Sequence, residues 1–229
     1  MRLLLLRHAE SASNADPHAV ALPEERGDRL TERGFEQARA TAAALRDCGA
    51  DRLLSSPMRR ARETAEVLAA ELGLTIEVDD EIHELRELTG FGELAPEEQK
   101  LRRWSEWMSA HPDDPDHAPR GAESFNAVLR RVRGFKGRLE AGDPSQSVLC
   151  VSHGIFIRFL LVDSLLGDRF EPREAKRLWQ LRSLNCGLSV FEHAEARHPA
   201  DPALDDWACV SWMERCWSEG GSPRTGSGP

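Results

Sequence analysis

Residues Met1–Glu10 read MRLLLLRHAE, and the fold is decided by how this stretch is read. Leu3 to Leu6 form a continuous apolar run with no alternation, the pattern of a short strand buried on both faces. Arg7, His8, Glu10, Ser11 and Asn14 follow at once, and all are costly to bury without partners. A buried strand that ends in a titratable cluster delivers side chains to a site. A polar surface loop is the competing reading of these residues alone.

Working outward, strands and helices alternate. Thr31 is placed to cap a helix carrying Phe35, Ala38, Ala42 and Leu45 at helical spacing, with Gly49 to end it. Arg52–Ser55 is short, apolar and extended in character, a second strand. Ser56-Pro57 then reads as an N-cap followed by proline at the first helical position. Ala61, Ala65, Leu68 and Leu72 share one face of the next helix, which Gly73 stops. Thr75–Val78 is a third strand. A helix from Ser124 to about Leu139 leads through the Gly142–Ser145 turn into the strand SVLCVS, an apolar helix ending at Gly167, and the later strand GLSVFEH. ACVSWM is an edge strand or irregular.

This alternation predicts an α/β fold, a three-layer α/β/α sandwich with a mainly parallel central sheet. One domain is expected over residues 1–217. It carries a small, partly helical cap insertion at about 84–124, where the chain turns acidic and proline-punctuated. The Gly/Ser/Pro-rich stretch 218–229 is expected to be disordered. In the cap, Trp104 and Trp107 share a face with Leu101 and Met108. That stripe is either core for its own segment or, with Arg102 or Arg103, a wall of the pocket mouth.

Composition narrows the function. The 229 residues are 40% hydrophobic and 30% charged, ordinary for a globular chain long enough to bury a sizeable core. A formal net charge of −9 argues against nucleic acid or an anionic membrane as partner. The apolar start is too short for a secretory signal, and no stretch approaches a membrane span. The five cysteines are odd in number and form no CxxC pair, so reduced thiols and a cytoplasmic location are expected, with Cys150 and Cys186 in the core.

In a parallel sheet the strand carboxyl ends share one edge, where ligands bind. Three segments deliver chemistry there: Arg7-His8, Ser55-Ser56 leading to Arg59 and Arg60, and Ser152-His153-Gly154. Clustered positive charge at such an edge is unfavourable until an anion neutralises it. Guanidinium forks match phosphate oxygens, and a helix starting near Pro57 points its positive end the same way.

At these residues the chain resembles the histidine phosphatase superfamily, the phosphoglycerate mutase-like fold. LLLLRHAESASN is similar to that family's opening element, LTERGFEQA (Leu30–Ala38) and SSPMRRARETA (Ser55–Ala65) to its next two. RGAES (Arg120–Ser124), VSHG (Val151–Gly154) and LNCGLSV (Leu184–Val190) resemble three later ones. The resemblance runs in order from about residue 1 to 192.

That resemblance implies roles. His8 is the nucleophile that becomes phosphohistidine. Arg7, Arg60 and His153 hold phosphate oxygens with Asn14 assisting, and Arg59 is left exposed. Glu87 is the general acid because LREL..FGE is similar to a family element; one extra residue before Phe91 keeps Glu84 as the alternative. Ala9 stands where the family more often has glycine. His83, His111, His117, His193 and His198 receive no role. The reaction expected is metal-independent hydrolysis of a small phosphorylated metabolite, with no cofactor. The alternatives are a mutase, disfavoured because the ERHYG-type stretch is absent, and a non-catalytic phosphate-binding protein. A homodimer is compatible with Trp207, Trp212 and Trp217 near the end of the chain.

Overall fold

The computed structural model describes residues 1–16, 29–85, 107, 113–118, 122–194 and 206–216. Glu87, Trp104, Arg102, Arg103 and the 218–229 tail lie outside these residues, as does most of the expected cap. Chain order is β1 (Arg2–Arg7), α1 (Ala12–Ala15), α2 (Glu32–Ala44), β2 (Arg52–Ser55), α3 (Arg59–Leu72) and β3 (Ile76–Val78). Then follow α4 (Phe125–Glu140), β4 (Ser147–Ser152), α5 (Gly154–Leu166), a 3-10 stretch over Pro172–Gln180, β5 (Gly187–His193) and β6 (Trp207–Arg215).

The sheet order is β3-β2-β4-β1-β5-β6. The first four of these strands run parallel, and β5 and β6 are antiparallel additions on one side. β1 is central: Leu5 sits opposite Cys150 on one side and Ser189 on the other. This explains the unbroken leucines. Leu3 and Leu5 pack on the face covered by α4 and α5, with Phe125, Phe135, Phe156 and Phe159. Leu4 and Leu6 pack on the opposite face, against Ala61, Ala65 and Leu68 of α3. Helices therefore cover both faces, and the chain is the α/β sandwich expected, with the parallel character confined to β1–β4.

Local differences have physical reasons. The helix expected from Ser56-Pro57 begins at Arg59 with Met58 as its cap residue, because the Ser56 hydroxyl is engaged with His153, 2.7 Å away, and with the Met58 N–H. α2 ends at Ala44 rather than at Gly49; the Leu45 N–H is shared between the Thr41 and Ala42 carbonyls, which tightens the last turn. Gly49, at φ +69°, serves the turn into β2 instead. Trp107 is buried edge-on to Phe159, so it belongs to the core. Gly34 is required by close approach: a Cβ there would overlap the Glu10 carbonyl, which accepts from Thr31 N–H at the head of α2.

Candidate active site

The carboxyl ends of β1, β2 and β4 are adjacent in the sheet, so the residues just beyond them converge. Arg7 closes β1 and His8 follows, while His153 caps α5 directly after β4. The two imidazoles lie with ring centroids 5.1 Å apart and tilted by 52°. Arg60, in the first turn of α3, donates from Nε to His8 Nε2 at 3.1 Å. His8 Nδ1 lies 2.7 Å from the Ala9 carbonyl, which can only accept. The tautomer follows: Nδ1 carries the hydrogen and Nε2 presents its lone pair toward Arg60. The Ala9 N–H donates to Thr64 Oγ1, which in turn donates to the Arg60 carbonyl, locking the loop to α3.

Electrostatics keep both imidazoles neutral. His8 is held well below its ordinary pKa, first by burial and then by Arg60 and Arg7. His153 is lowered likewise by burial, with Arg60, His8, Arg7 and His83 adding to it. Among the described residues, His153 Nδ1 and Arg7 Nε are buried without a hydrogen-bond partner. Such atoms are unfavourable unless a polar ligand joins them.

The loop from Leu181 to Cys186 straps the site. Three successive carbonyls are held by three different elements. Leu181 accepts from Arg158 Nε on α5 at 2.9 Å, Arg182 from Trp212 Nε1 on β6 at 3.2 Å, and Ser183 from Arg7 Nη1 at 3.0 Å. Asn185 Nδ2 then donates to the His8 carbonyl and to Asn14 Oδ1. The Cys186 N–H reaches the Arg7 and His8 carbonyls, with Cys186 itself in the left-handed region at φ +51°. Asn14 is exposed and connects to His8 through Asn185.

Glu84 is placed beside this cluster. Its Oε1 accepts from the N–H of Leu85 at 3.0 Å and of Ile155, in the first turn of α5, at 3.1 Å; Oε2 has a longer contact to Ile155, 3.4 Å. The segment leading to it is tied down. Ser152 Oγ donates to the Ile82 carbonyl, and Arg131 Nη1 to the carbonyls of Glu81 and His83. Arg131 is itself gripped by both oxygens of Glu123, whose carbonyl accepts from Trp107 Nε1.

Of the residues singled out from the sequence, Arg7, His8, Arg60 and His153 are brought together. Glu84 adjoins them, and Glu87 lies outside the described residues. Arg59 is exposed and pairs with Glu63. Sequence reasoning assigned no individual role to Thr64, Ser183, Asn185 or Arg158, and it marked Ser56 only as a helix cap at the sheet edge. Thr64 and Asn185 fall within the elements SSPMRRARETA and LNCGLSV, and Arg158 stands as a lone cation within the apolar helix IFIRFLL.

The pattern of the histidine phosphatase superfamily (branch 1) matches residues 3–206, and the chain belongs to that family. It is 37% identical over 166 residues to a bifunctional protein of Mycobacterium tuberculosis, covering 70% of this chain and 43% of that protein. The chain thus spans under half the length of the mycobacterial relatives it matches. It is 32% identical over 187 residues to the adenosylcobalamin/alpha-ribazole phosphatase of Escherichia coli, covering 80% of this chain and 85% of that one. The crystal structure of the alpha-ribazole phosphatase from Shigella flexneri superposes with a TM-score of 0.66 at 26% identity, covering 94% and 97% of the two chains. Among the described residues, no helix is long and apolar enough to cross a membrane.

Proposed function

We propose that this chain is a phosphomonoesterase working through a phosphohistidine at His8, without a metal ion. One observation carries the reading: a neutral imidazole, its Nδ1 hydrogen engaged by Ala9, aims the Nε2 lone pair at the Arg60 guanidinium. A phosphate dianion arriving there replaces Nε2 as acceptor for Arg60 and frees the lone pair to attack.

In the first step the Nε2–P bond forms and the ester P–O bond breaks. Charge on the three equatorial oxygens is met by Arg60, by Arg7 and by His153 through its unpartnered Nδ1. The leaving oxygen takes a proton from Glu84, whose Oε2 is the less engaged oxygen. In the second step water attacks phosphorus and gives its proton to the Glu84 carboxylate. The Nε2–P bond breaks, and inorganic phosphate leaves. Asn14 steadies the loop through Asn185.

Phosphate release from a panel of sugar phosphates, phosphoglycerates, nucleotides and phosphoamino acids tests this, with EDTA present throughout. Turnover is expected to survive chelation, and trapping with labelled ester should place acid-labile phosphate on His8 and none on His8→Ala. Loss of turnover in EDTA, or full activity in His8→Ala, overturns the mechanism. Interconversion of 2- and 3-phosphoglycerate faster than phosphate release would make the chain a mutase instead.

A further inference from the structure

For His153 to hold a phosphate oxygen through Nδ1, that nitrogen must carry a hydrogen; a bare lone pair there would repel the anion. His153 is neutral, held well below its ordinary pKa first by burial and then by Arg60, His8, Arg7 and His83. A neutral imidazole has one ring hydrogen and two nitrogens that can take it. The choice falls to the group that meets Nε2.

That group is Ser56. Its Oγ lies 2.7 Å from His153 Nε2, and it accepts from the Met58 N–H at 3.3 Å. The backbone holds it in place: the Ser56 N–H donates to the Val151 carbonyl at 3.0 Å, and the Ser56 carbonyl accepts from Ser55 Oγ at 2.9 Å. Ser55 and Ser56 are both fully buried.

Counting hydrogens separates the two tautomers. With the hydrogen on Nδ1, Ser56 donates its hydroxyl hydrogen to the Nε2 lone pair and accepts from Met58, so every group on this side of the ring is satisfied. With the hydrogen on Nε2, the hydroxyl oxygen accepts twice and its own hydrogen has no acceptor among the described residues. A buried donor left that way costs about 1–3 kcal/mol. Nδ1 is without a partner among the described residues in either case. It therefore leaves the balance of the empty site unchanged, and a phosphate oxygen, which only accepts, tips it further toward Nδ1–H.

We propose that Ser56 is a positioning residue for the reaction: its hydroxyl fixes His153 in the Nδ1–H tautomer, so that a neutral imidazole stands ready to donate to the phosphoryl oxygens. The two histidines are thereby given opposite tasks. The Ala9 carbonyl engages His8 Nδ1 and leaves Nε2 to attack, whereas Ser56 engages His153 Nε2 and leaves Nδ1 to donate. This rests on the phosphohistidine reading above.

Nitrogen-15 NMR of the full chain reads the tautomer, because protonated and bare ring nitrogens resonate far apart; the spectrum of His153→Gln assigns the signals. In the wild type His153 should show a protonated Nδ1 and a bare Nε2, and inorganic phosphate should move Nδ1 more than Nε2. Ser56→Ala removes the donor, so the two tautomers should mix or reverse. Calorimetric affinity for inorganic phosphate should then fall about 3- to 10-fold, the worth of one hydrogen bond. Ser56→Cys keeps the shape with a weaker donor and should fall between; it carries the test if the alanine variant does not fold. A hydrogen on Nε2 in the wild type overturns the proposal whatever the variants do. An Nδ1 hydrogen that persists in both variants overturns it too, since any loss of phosphate affinity would then come from packing. Phosphate that leaves the His153 signals unmoved has the same force. Absence of phosphate release from every ester overturns the hydrolase reading, whereas release with the hydrogen on Nε2 removes this proposal alone.

Discussion

Replacing Glu123 by glutamine should cost this protein much of its thermal stability, although the residue never touches the reacting atoms. Arg131 makes four hydrogen bonds: 2.8 and 2.9 Å to the two Glu123 oxygens, and 2.6 and 3.2 Å to the carbonyls of Glu81 and His83. Its side chain is 9% exposed and that of Glu123 12%, so water cannot take over either role. Glutamine preserves the shape, sets an amide N–H₂ against a guanidinium N–H, and removes the counter-charge. Breaking a buried pair from one side typically costs about 3–5 kcal/mol. For a chain of this size that corresponds to a fall in Tm of about 6–20 °C. The control is Glu77→Gln, which removes the partner of Arg52 in an exposed pair at 2.6 Å; such pairs contribute roughly 0–1 kcal/mol. Calorimetry on both variants at pH 7 decides the matter. The reasoning is refuted if Glu123→Gln melts no lower than Glu77→Gln. Below its melting point the variant should also turn over alkyl phosphates more slowly, because the same guanidinium holds the segment that carries Glu84.

Further expectations follow from the site. Glu84→Gln keeps an oxygen for the Ile155 N–H, so it should fold; its turnover of alkyl phosphates should fall by about 10²–10⁴, the usual share of a general acid. An aryl ester with a good leaving group should suffer far less, and equal losses on both would argue against proton donation by Glu84. His8 and His153 are held neutral in the fold, while the unfolded chain protonates its histidines near ~6.5. Below that pH the unfolded state binds more protons, so stability should drop by about 1.4 kcal/mol per pH unit for each imidazole until its lowered native value is reached. Urea unfolding from pH 7 to 5 reads this; His8→Gln should flatten the slope, and an unchanged slope would contradict it. Trp212→Phe removes the donor to the Arg182 carbonyl. Loosening the strap that orients Arg7 should raise the inhibition constant of inorganic phosphate about fivefold; an unchanged constant would show that the strap does not need β6.

The parts of the structure legible in the sequence were those in which neighbours along the chain carry the signal. Four leucines in a row can satisfy a strand between two helix layers, and Gly73 could be read as a helix stop because it adopts the left-handed cap at φ +68°. His8, His153 and Arg60 were legible because three parallel strands place their ends together. Contacts between distant residues were not. Nothing near Ser56 announces that its hydroxyl serves His153 rather than capping α3. The resemblance of LREL..FGE put Glu87 ahead of Glu84 as the acid, and nothing in the sequence showed that the Glu84 carboxylate meets the head of α5, 71 residues on. The nine-residue strand Trp207–Arg215 escaped a clear reading because it pairs irregularly, with register shifts around Val190.

The position of β1 also governs how the chain assembles. Its hydrogen-bonding neighbours are β4 and β5, so Arg2 lies opposite Ser147 on one side and Glu192 on the other. During synthesis the leucine strand and the histidine behind it emerge before either flank, because both flanking strands lie more than a hundred residues later in the chain. Until then a strand edge of four leucines stands open to wrong partners, in a topology whose distant pairings slow productive folding. The nascent chain therefore carries an apolar strand with both edges unpaired, and chaperone dependence should track the delay before β4 and β5 arrive.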